Sequence, residues 1–182
     1  MKIPVTIRRI DVEEAATHVN ALSDVLIDCV EGGASVSFVN PLSRATAISF
    51  WQGIAASVGR GERSLLIAED SHGQIVGTVQ LITSQPENQP HRADVAKMLV
   101  LRRARRQGIA SRLMQVLEEV ARQEGKSVLV LDTVSGGAAE RMYQQSGWKI
   151  VGSIPNYALM PDGELCGTTY YHKQLQSSVA VT

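Results

Sequence analysis

Residues 127–133 read SVLVLDT, with four apolar side chains in succession from Val128 to Leu131. A run like this offers no polar face to water. It suits a central strand covered on both faces. The flanking stretches agree. Ile109, Leu113, Val116, Leu117 and Val120 form an apolar stripe at helical spacing, opposite Arg112, Gln115, Glu118, Glu119, Arg122 and Gln123. That is the pattern of a surface helix packed on a sheet. SGGAAERMYQQSG (135–147) opens and closes on glycine and suits a second, shorter helix. Helix, apolar strand, helix in this order predicts an α/β fold.

The rest of the chain adds mainly strands. VTIRRI (5–10) reads as the first. Asp11 and Glu14 then form a capping box for a helix running to Glu31, stopped by Gly32 and Gly33. Asn40-Pro41 reads as the start of another helix, with proline at the first helical position, ending near Val58. SLLIAED (64–70) and IVGTVQLIT (75–83) form a hairpin around SHGQ, followed by the polar loop SQPENQPHR (84–92). DVAKMLVL (94–101), WKIVGSI (148–154) and TTYYHKQL (168–175) complete the strands. Pro161-Asp162-Gly163 marks a turn between the last two. The expectation is one domain over residues 1–176, with a mixed, mostly antiparallel sheet of about seven strands and about four helices. A frayed tail is expected over 177–182.

Composition narrows the function. Aromatic residues make up only 4%, so Val, Ile, Leu and Ala must build the core. Eighteen Lys and Arg balance eighteen Asp and Glu. A nucleic-acid binder usually carries a basic excess over the whole domain, so that class is set aside. Cys29 and Cys166 lie far apart, and no pair among His18, His72, His91 and His172 has metal-ligand spacing, so no metal is expected. No window reaches the length of a membrane span, and the first residues lack a signal-peptide run. A cytoplasmic protein with no membrane partner is expected.

Charge is concentrated in one place. Four of the thirteen arginines lie within residues 102–106, in LVLRRARRQGIASRLM. Gly108 follows, and then the amphipathic helix. A helix start has N–H groups without intrahelical acceptors and a positive dipole end, so an anion is favoured there. Gly108 and Ala110 let it approach the backbone, and Ser111 adds a hydroxyl. A Walker loop needs Gly-Lys-Ser/Thr, and the dinucleotide fingerprint needs three spaced glycines; neither is present. The pattern is Arg105-x-x-Gly108-x-Ala110 directly after the strand KMLVL. Asp132 closes the apolar strand, at the carboxyl edge where open α/β sheets place ligands.

Strand, R/Q-x-x-G-x-G/A and amphipathic helix together resemble the acetyl-CoA signature of the GNAT N-acetyltransferases. The order of elements extends the resemblance over roughly residues 5–175. EGGASVSF (31–38), AKMLVL (96–101), LDT (131–133) and PDGEL (161–165) resemble one branch, the tabtoxin-resistance acetyltransferases. The resemblance implies an acyltransferase that moves the acetyl group of acetyl-CoA, its co-substrate, to a small-molecule amine. An amino-acid-like toxin or antibiotic is the implied kind of acceptor, attacked directly in a ternary complex.

Met98, Leu99 and Val100 match the bulged strand whose amides pair with the pantetheine arm. An amide around Leu99 or Val100 would serve the thioester oxygen. Arg105, Arg106, Gln107, Gly108, Ile109, Ala110 and Ser111 match the pyrophosphate cradle. Arg102 and Arg103 face either solvent or the nucleotide phosphate. Tyr143 matches the general acid for the coenzyme sulfur. Ala139 fits the same motif, while Gly136 stands where asparagine is usual. Asp132 would bind the substrate ammonium or accept its proton, directly or through water; His91 and Asp94 are lesser candidates for the base. Glu31 and Tyr157 would contact the substrate from loops walling its pocket. A homodimer is common among relatives. An acyl-CoA sensor without turnover and acetylation of a protein or peptide amine stay open as alternatives.

Overall fold

The computed structural model describes residues 4–176, so the expected tail over 177–182 lies outside the described residues. The elements run β1 (Val5–Ile10), α1 (Val12–Thr17), α2 (Val19–Glu31), α3 (Arg44–Gly59), β2 (Arg63–Asp70), β3 (Ile75–Ile82) and β4 (Arg92–Val100). A single 3-10 turn, Arg102–Ala104, leads to α4 (Ile109–Gln123), β5 (Val128–Val134), α5 (Ala138–Gln145), β6 (Lys149–Leu159) and β7 (Leu165–Gln174). The seven strands form one sheet in the order β1-β2-β3-β4-β5-β7-β6. Every neighbouring pair is antiparallel except β4 and β5. That pair is joined through the crossover helix α4, as a parallel connection requires.

Local chemistry sets the helix starts. Asp11 Oδ1 accepts from the Glu14 amide at 2.8 Å, and Glu14 Oε2 accepts from the Asp11 amide at 3.4 Å. The capping box read from the sequence is therefore in place. Asp11→Ala should lower stability by about 1 kcal/mol, measured as a fall in the urea midpoint with an unchanged slope. The helix it starts is shorter than expected. His18 departs from helical geometry at ψ 6°, so the single helix anticipated down to Glu31 is two, and the structure has five α-helices rather than four. The next helix begins after Ser43, whose hydroxyl accepts from the Thr46 amide at 3.1 Å, and not at Pro41. A serine side chain satisfies a helix-start donor, which proline at residue 41 cannot do.

The sheet carries two helix layers. On one face α4 and α5 cover Leu66, Val79, Ala93, Leu129, Leu131 and Tyr171. On the other, α1, α2 and α3 bury Trp51, Leu22 and Leu26 against Ile10, Leu65 and Ile67. Each fully buried aliphatic side chain contributes about 1.5–3 kcal/mol. The second layer packs on β2, β3 and β4. On β5, Leu129 and Leu131 are buried, whereas Val128 and Val130 are half-buried and Asp132 is exposed. The expected covering of this strand on both faces therefore holds on one face only.

Two further expectations change. Glu118, assigned to the polar side of its helix, is buried; both carboxylate oxygens accept from Lys173 Nζ, at 2.7 and 2.9 Å. The last two strands are longer than read. Pro155 looks like a strand end, yet β6 continues to Leu159. The register passes from Ile154 opposite Thr168 to Ala158 opposite Cys166, so residues 155–157 form an irregularity in an edge strand. Proline is tolerated there because its missing N–H breaks no ladder bond.

Candidate active site

The sheet opens where its one parallel pair ends. β4 and β5 are in register from Arg92 opposite Val128 to Asp94 opposite Val130, and the pairing stops there. Two residues later β4 bulges. Ala96 faces Gln80 on β3 and Leu99 faces Thr78, so Lys97 and Met98 share the place opposite Val79. Lys97 takes φ +52° to do so. A bulge bends its strand and adds twist. Beyond Asp94 and Val130 the two strands part, and a cleft crosses the sheet.

On the α4 side, the cleft is bordered by the loop from Leu101 to Gly108. The Leu101 amide bonds back to Val76 O on β3 at 2.9 Å. The Val100 carbonyl turns the other way and accepts from Arg105 Nε at 3.1 Å and Cys29 Sγ at 3.4 Å. Along a strand, the N–H and C=O of one residue point to the same side, so the Val100 amide also faces the cleft. Gly108 caps α4 in the left-handed region at φ +79°, with no side-chain cap. A Cβ there would meet nothing within 4 Å. The amides of Ile109, Ala110 and Ser111 lie in the first turn, without intrahelical acceptors. This open, positive helix start fits a diphosphate.

The arginines divide by role. Arg102 is clamped to α2, its amide and its Nε each donating to Asp28 at 2.8 Å, with Glu31 Oε2 at 3.5 Å. Arg103 donates to Gln74 Oε1 at 2.9 Å and lies 3.7 Å from Asp70. These two tie the loop to the protein. Arg106, at φ +61°, turns the chain toward Gly108.

Tyr143 comes from α5 and is buried in an aromatic cluster, with ring centroids 6.0 Å from Trp148 and 5.9 Å from Tyr171. Among the described residues its hydroxyl has no hydrogen-bond partner. Burial, then the negative charge of Asp132 and the neighbouring Tyr171, push its pKa up to about 12. Asp132 lies on β5, two residues past the last position paired with β4. Side chains alternate along a strand, so it projects to the face opposite Leu131. Thr168 Oγ1 donates to its Oδ2 at 2.7 Å. It caps no helix, because the N-cap of α5 is Gly137. Nearby, the hydroxyls of Tyr157 and Tyr170 lie 2.9 Å apart. That bond first, then burial and Asp132, push Tyr170 up to about 12. The loop between α2 and α3 closes this side. Ser35 Oγ donates to Leu159 O at 3.0 Å, Ser37 Oγ accepts from Lys97 Nζ at 2.9 Å, and the Asn40 amide reaches Pro161 O at 2.8 Å.

The family model for the acetyltransferase (GNAT) family matches residues 34–148, which span α3, the bulged strand, the helix-start loop and Tyr143. The chain belongs to the acetyltransferase (GNAT) family. An uncharacterized N-acetyltransferase of Azospirillum brasilense, from the hisH–hisA intergenic region, is 32% identical over 130 residues, covering 70% of this chain and 74% of its own. An N-acetyltransferase from Staphylococcus aureus Mu50 superposes with a TM-score of 0.77 at 20% identity, over 95% of this chain and 99% of that one. A phosphinothricin acetyltransferase from Sinorhizobium meliloti, in complex with acetyl-CoA, does so at 0.76 and 14%, over 98% and 92%. These two structures share the fold. As a GNAT member the chain is an acetyl-CoA-dependent N-acetyltransferase, and acetyl-CoA is its co-substrate.

Met98, Leu99, Val100 and residues 105–111 border the cleft on the α4 side; Asp132 projects to one face of the sheet, and Tyr143 packs on the other against Trp148 and Tyr171. Tyr157 lies on the Asp132 side. Glu31 does not join it; its carboxylate lies by Arg102 at the end of α2. Asp94, the lesser base candidate, is engaged by Arg92 and by Gln85 Nε2. His91 is exposed, and its carbonyl accepts from the Ser127 amide at 2.8 Å. Two residues at the cleft were missed. Lys97 breaks an apolar run in AKMLVL, which is a usable signal. Tyr170 alternates with buried Tyr171, and only the register separates them.

Proposed function

We propose that this GNAT chain acetylates the amine of a small molecule by direct attack in a ternary complex, with Tyr143 as general acid and Asp132 as the amine-binding or base residue. The observation that carries this is the parting of β4 and β5 beyond Asp94 and Val130, with Asp132 on one face and, on the other, Tyr143, near enough for the charge of Asp132 to raise its pKa. The coenzyme enters from the α4 side and the acceptor from the other, so the two substrates meet inside the sheet. The first turn of α4 and the amides from Arg105 to Ser111 hold the diphosphate. Met98, Leu99 and Val100 present backbone to the pantetheine arm. The Val100 amide, which faces the cleft, stabilises the charge that develops on the thioester oxygen. Asp132, aligned by Thr168, receives the ammonium and takes its proton directly or through water. Tyr143 returns a proton to the departing sulfur. Bound acetyl-CoA supplies the activated acyl carbon. The resemblance to the tabtoxin-resistance branch supports an amino-acid-like acceptor.

The test is thiol release from acetyl-CoA against a panel of small amines. Turnover is expected with at least one of them. Its rate should rise with pH as the amine loses its proton. Tyr143, held up to about 12, stays protonated and imposes no fall below pH 10. No turnover and no coenzyme A binding would end this reading; binding without turnover would make the chain a sensor.

A further inference from the structure

We propose that Lys97 is the acceptor-recognition residue of this site, its ammonium holding a carboxylate on the incoming amine, so that the acceptor is a zwitterion of the α-amino-acid type. This rests on the acetyl-transfer reading and specifies its acceptor.

The lysine is placed at some cost. Among the described residues, four that are not glycine have positive φ: Ser37, Lys97, Arg106 and Asn156. Two of them, Ser37 and Lys97, meet beside the cleft. Arg106 lies in the helix-start loop, Asn156 precedes Tyr157, and Ser37 and Lys97 are bonded to each other at 2.9 Å. Backbone of this kind lowers stability and persists where the surroundings enforce it, which is most often at functional sites. Here two strained backbones together hold one ammonium.

That ammonium lacks a counter-ion. Lys97 is half-buried, with Ser37 Oγ at 2.9 Å and the Phe50 ring centroid at 6.0 Å. Among the described residues no carboxylate is within ion-pair distance of it. Lys173, also half-buried, shows the ordinary arrangement, with Glu118 at 2.7 Å. A cation withdrawn from water normally takes an ionic partner or loses its proton. Burial lowers the Lys97 pKa, Asp132 opposes this, and Arg63 adds to it. The other basic groups near this face are engaged. Arg63 donates to Ser57 and Gln80, each at 2.8 Å, and Arg92 is paired with Asp94. An acid group brought by the ligand would complete the environment of Lys97.

The signs of charge select the ligand. Asp132 projects to the same face as Lys97, from the strand across the cleft. A cation and an anion on opposite lips match a molecule with the reverse order. The ammonium then goes to Asp132, beside the acyl carbon, and the carboxylate goes to Lys97. The Tyr157–Tyr170 pair and the loop carrying Ser37 wall the space around it.

The probes are N-acetyl derivatives of apolar, polar and basic α-amino acids, each beside its carboxamide, titrated calorimetrically with and without coenzyme A. At least one acid should bind roughly tenfold or more tightly than its amide. Lys97→Met, which keeps the apolar stem, should bring that ratio to about one, and Lys97→Arg should keep most of it. Equal affinity for acids and amides, or a ratio unchanged in Lys97→Met, overturns the assignment. Coenzyme A titrated alone separates the two readings. If it binds while the acid preference is missing, Lys97 loses this role and acetyl transfer stands. If it fails to bind while the preference remains, acetyl transfer falls and the anion site stands.

Discussion

Tyr143→Phe should lower kcat by about 10²-fold or more, the usual contribution of a positioned general acid, with coenzyme A affinity unchanged within about twofold. The phenyl ring keeps the packing against Trp148 and Tyr171, at 6.0 and 5.9 Å. The hydroxyl has no hydrogen-bond partner among the described residues, so its removal leaves no orphaned donor or acceptor and should be close to neutral for stability. Loss of rate at constant stability and constant coenzyme binding then isolates proton delivery. A tenfold fall corresponds to about 1.4 kcal/mol of barrier, so 10²-fold asks about 2.7 kcal/mol of one group. A raised pKa suits this task. With a value up to about 12, the phenol holds its proton through the whole range in which the amine becomes nucleophilic. Activity equal to the natural chain, measured by thiol release under saturating acetyl-CoA, would remove Tyr143 from the chemistry and leave it as a core residue.

The order of elements was legible because each strand and helix carries its own period, and the apolar run Val128–Leu131 admitted few sheet positions. The cleft was only partly legible. The Arg105-x-x-Gly108 pattern marks the helix start, since a left-handed cap selects glycine for a local reason. The bulge at Lys97 and Met98 leaves no such mark. It depends on how β3 and β4 pair, and pairing is a property of two strands. The same holds for Tyr170 and Tyr171. Adjacent residues of one type point to opposite faces, and only the register Asp132 opposite Tyr170 assigns them. Glu118 misled because its helical position is polar by pattern; the cation that makes its burial tolerable, Lys173, is 55 residues away. The covering of β5 failed for a related reason. Apolar sequence permits burial on two faces, but α1 to α3 cover only part of the sheet, and the uncovered part is where an acceptor can enter.

Gly108→Glu should weaken coenzyme A binding by about 100-fold or more, through charge repulsion in a partly desolvated site. Two effects must be separated. Any side chain at φ +79° carries a backbone cost of about 1–2 kcal/mol, which could loosen the loop without any ligand being involved. Gly108→Ala carries the same backbone cost and no charge. In the protein itself a Cβ at this position meets no atom within 4 Å, so the alanine variant introduces no steric clash. The glutamate also sits at a helix N-terminus, where a negative charge is favourable by about 0.3–1 kcal/mol. Gly108→Glu should therefore be no less stable than Gly108→Ala in a urea melt. The ordering in ligand affinity runs the other way, with the alanine variant weakened modestly and the glutamate variant severely. Opposite orders in stability and in binding cannot come from one folding defect. They require an anion at the first turn of α4. The gap between the two variants should also narrow as salt is raised, because the repulsion is partly screened. Isothermal titration at two ionic strengths reads all of this. Equal affinity of the two variants would place the diphosphate elsewhere.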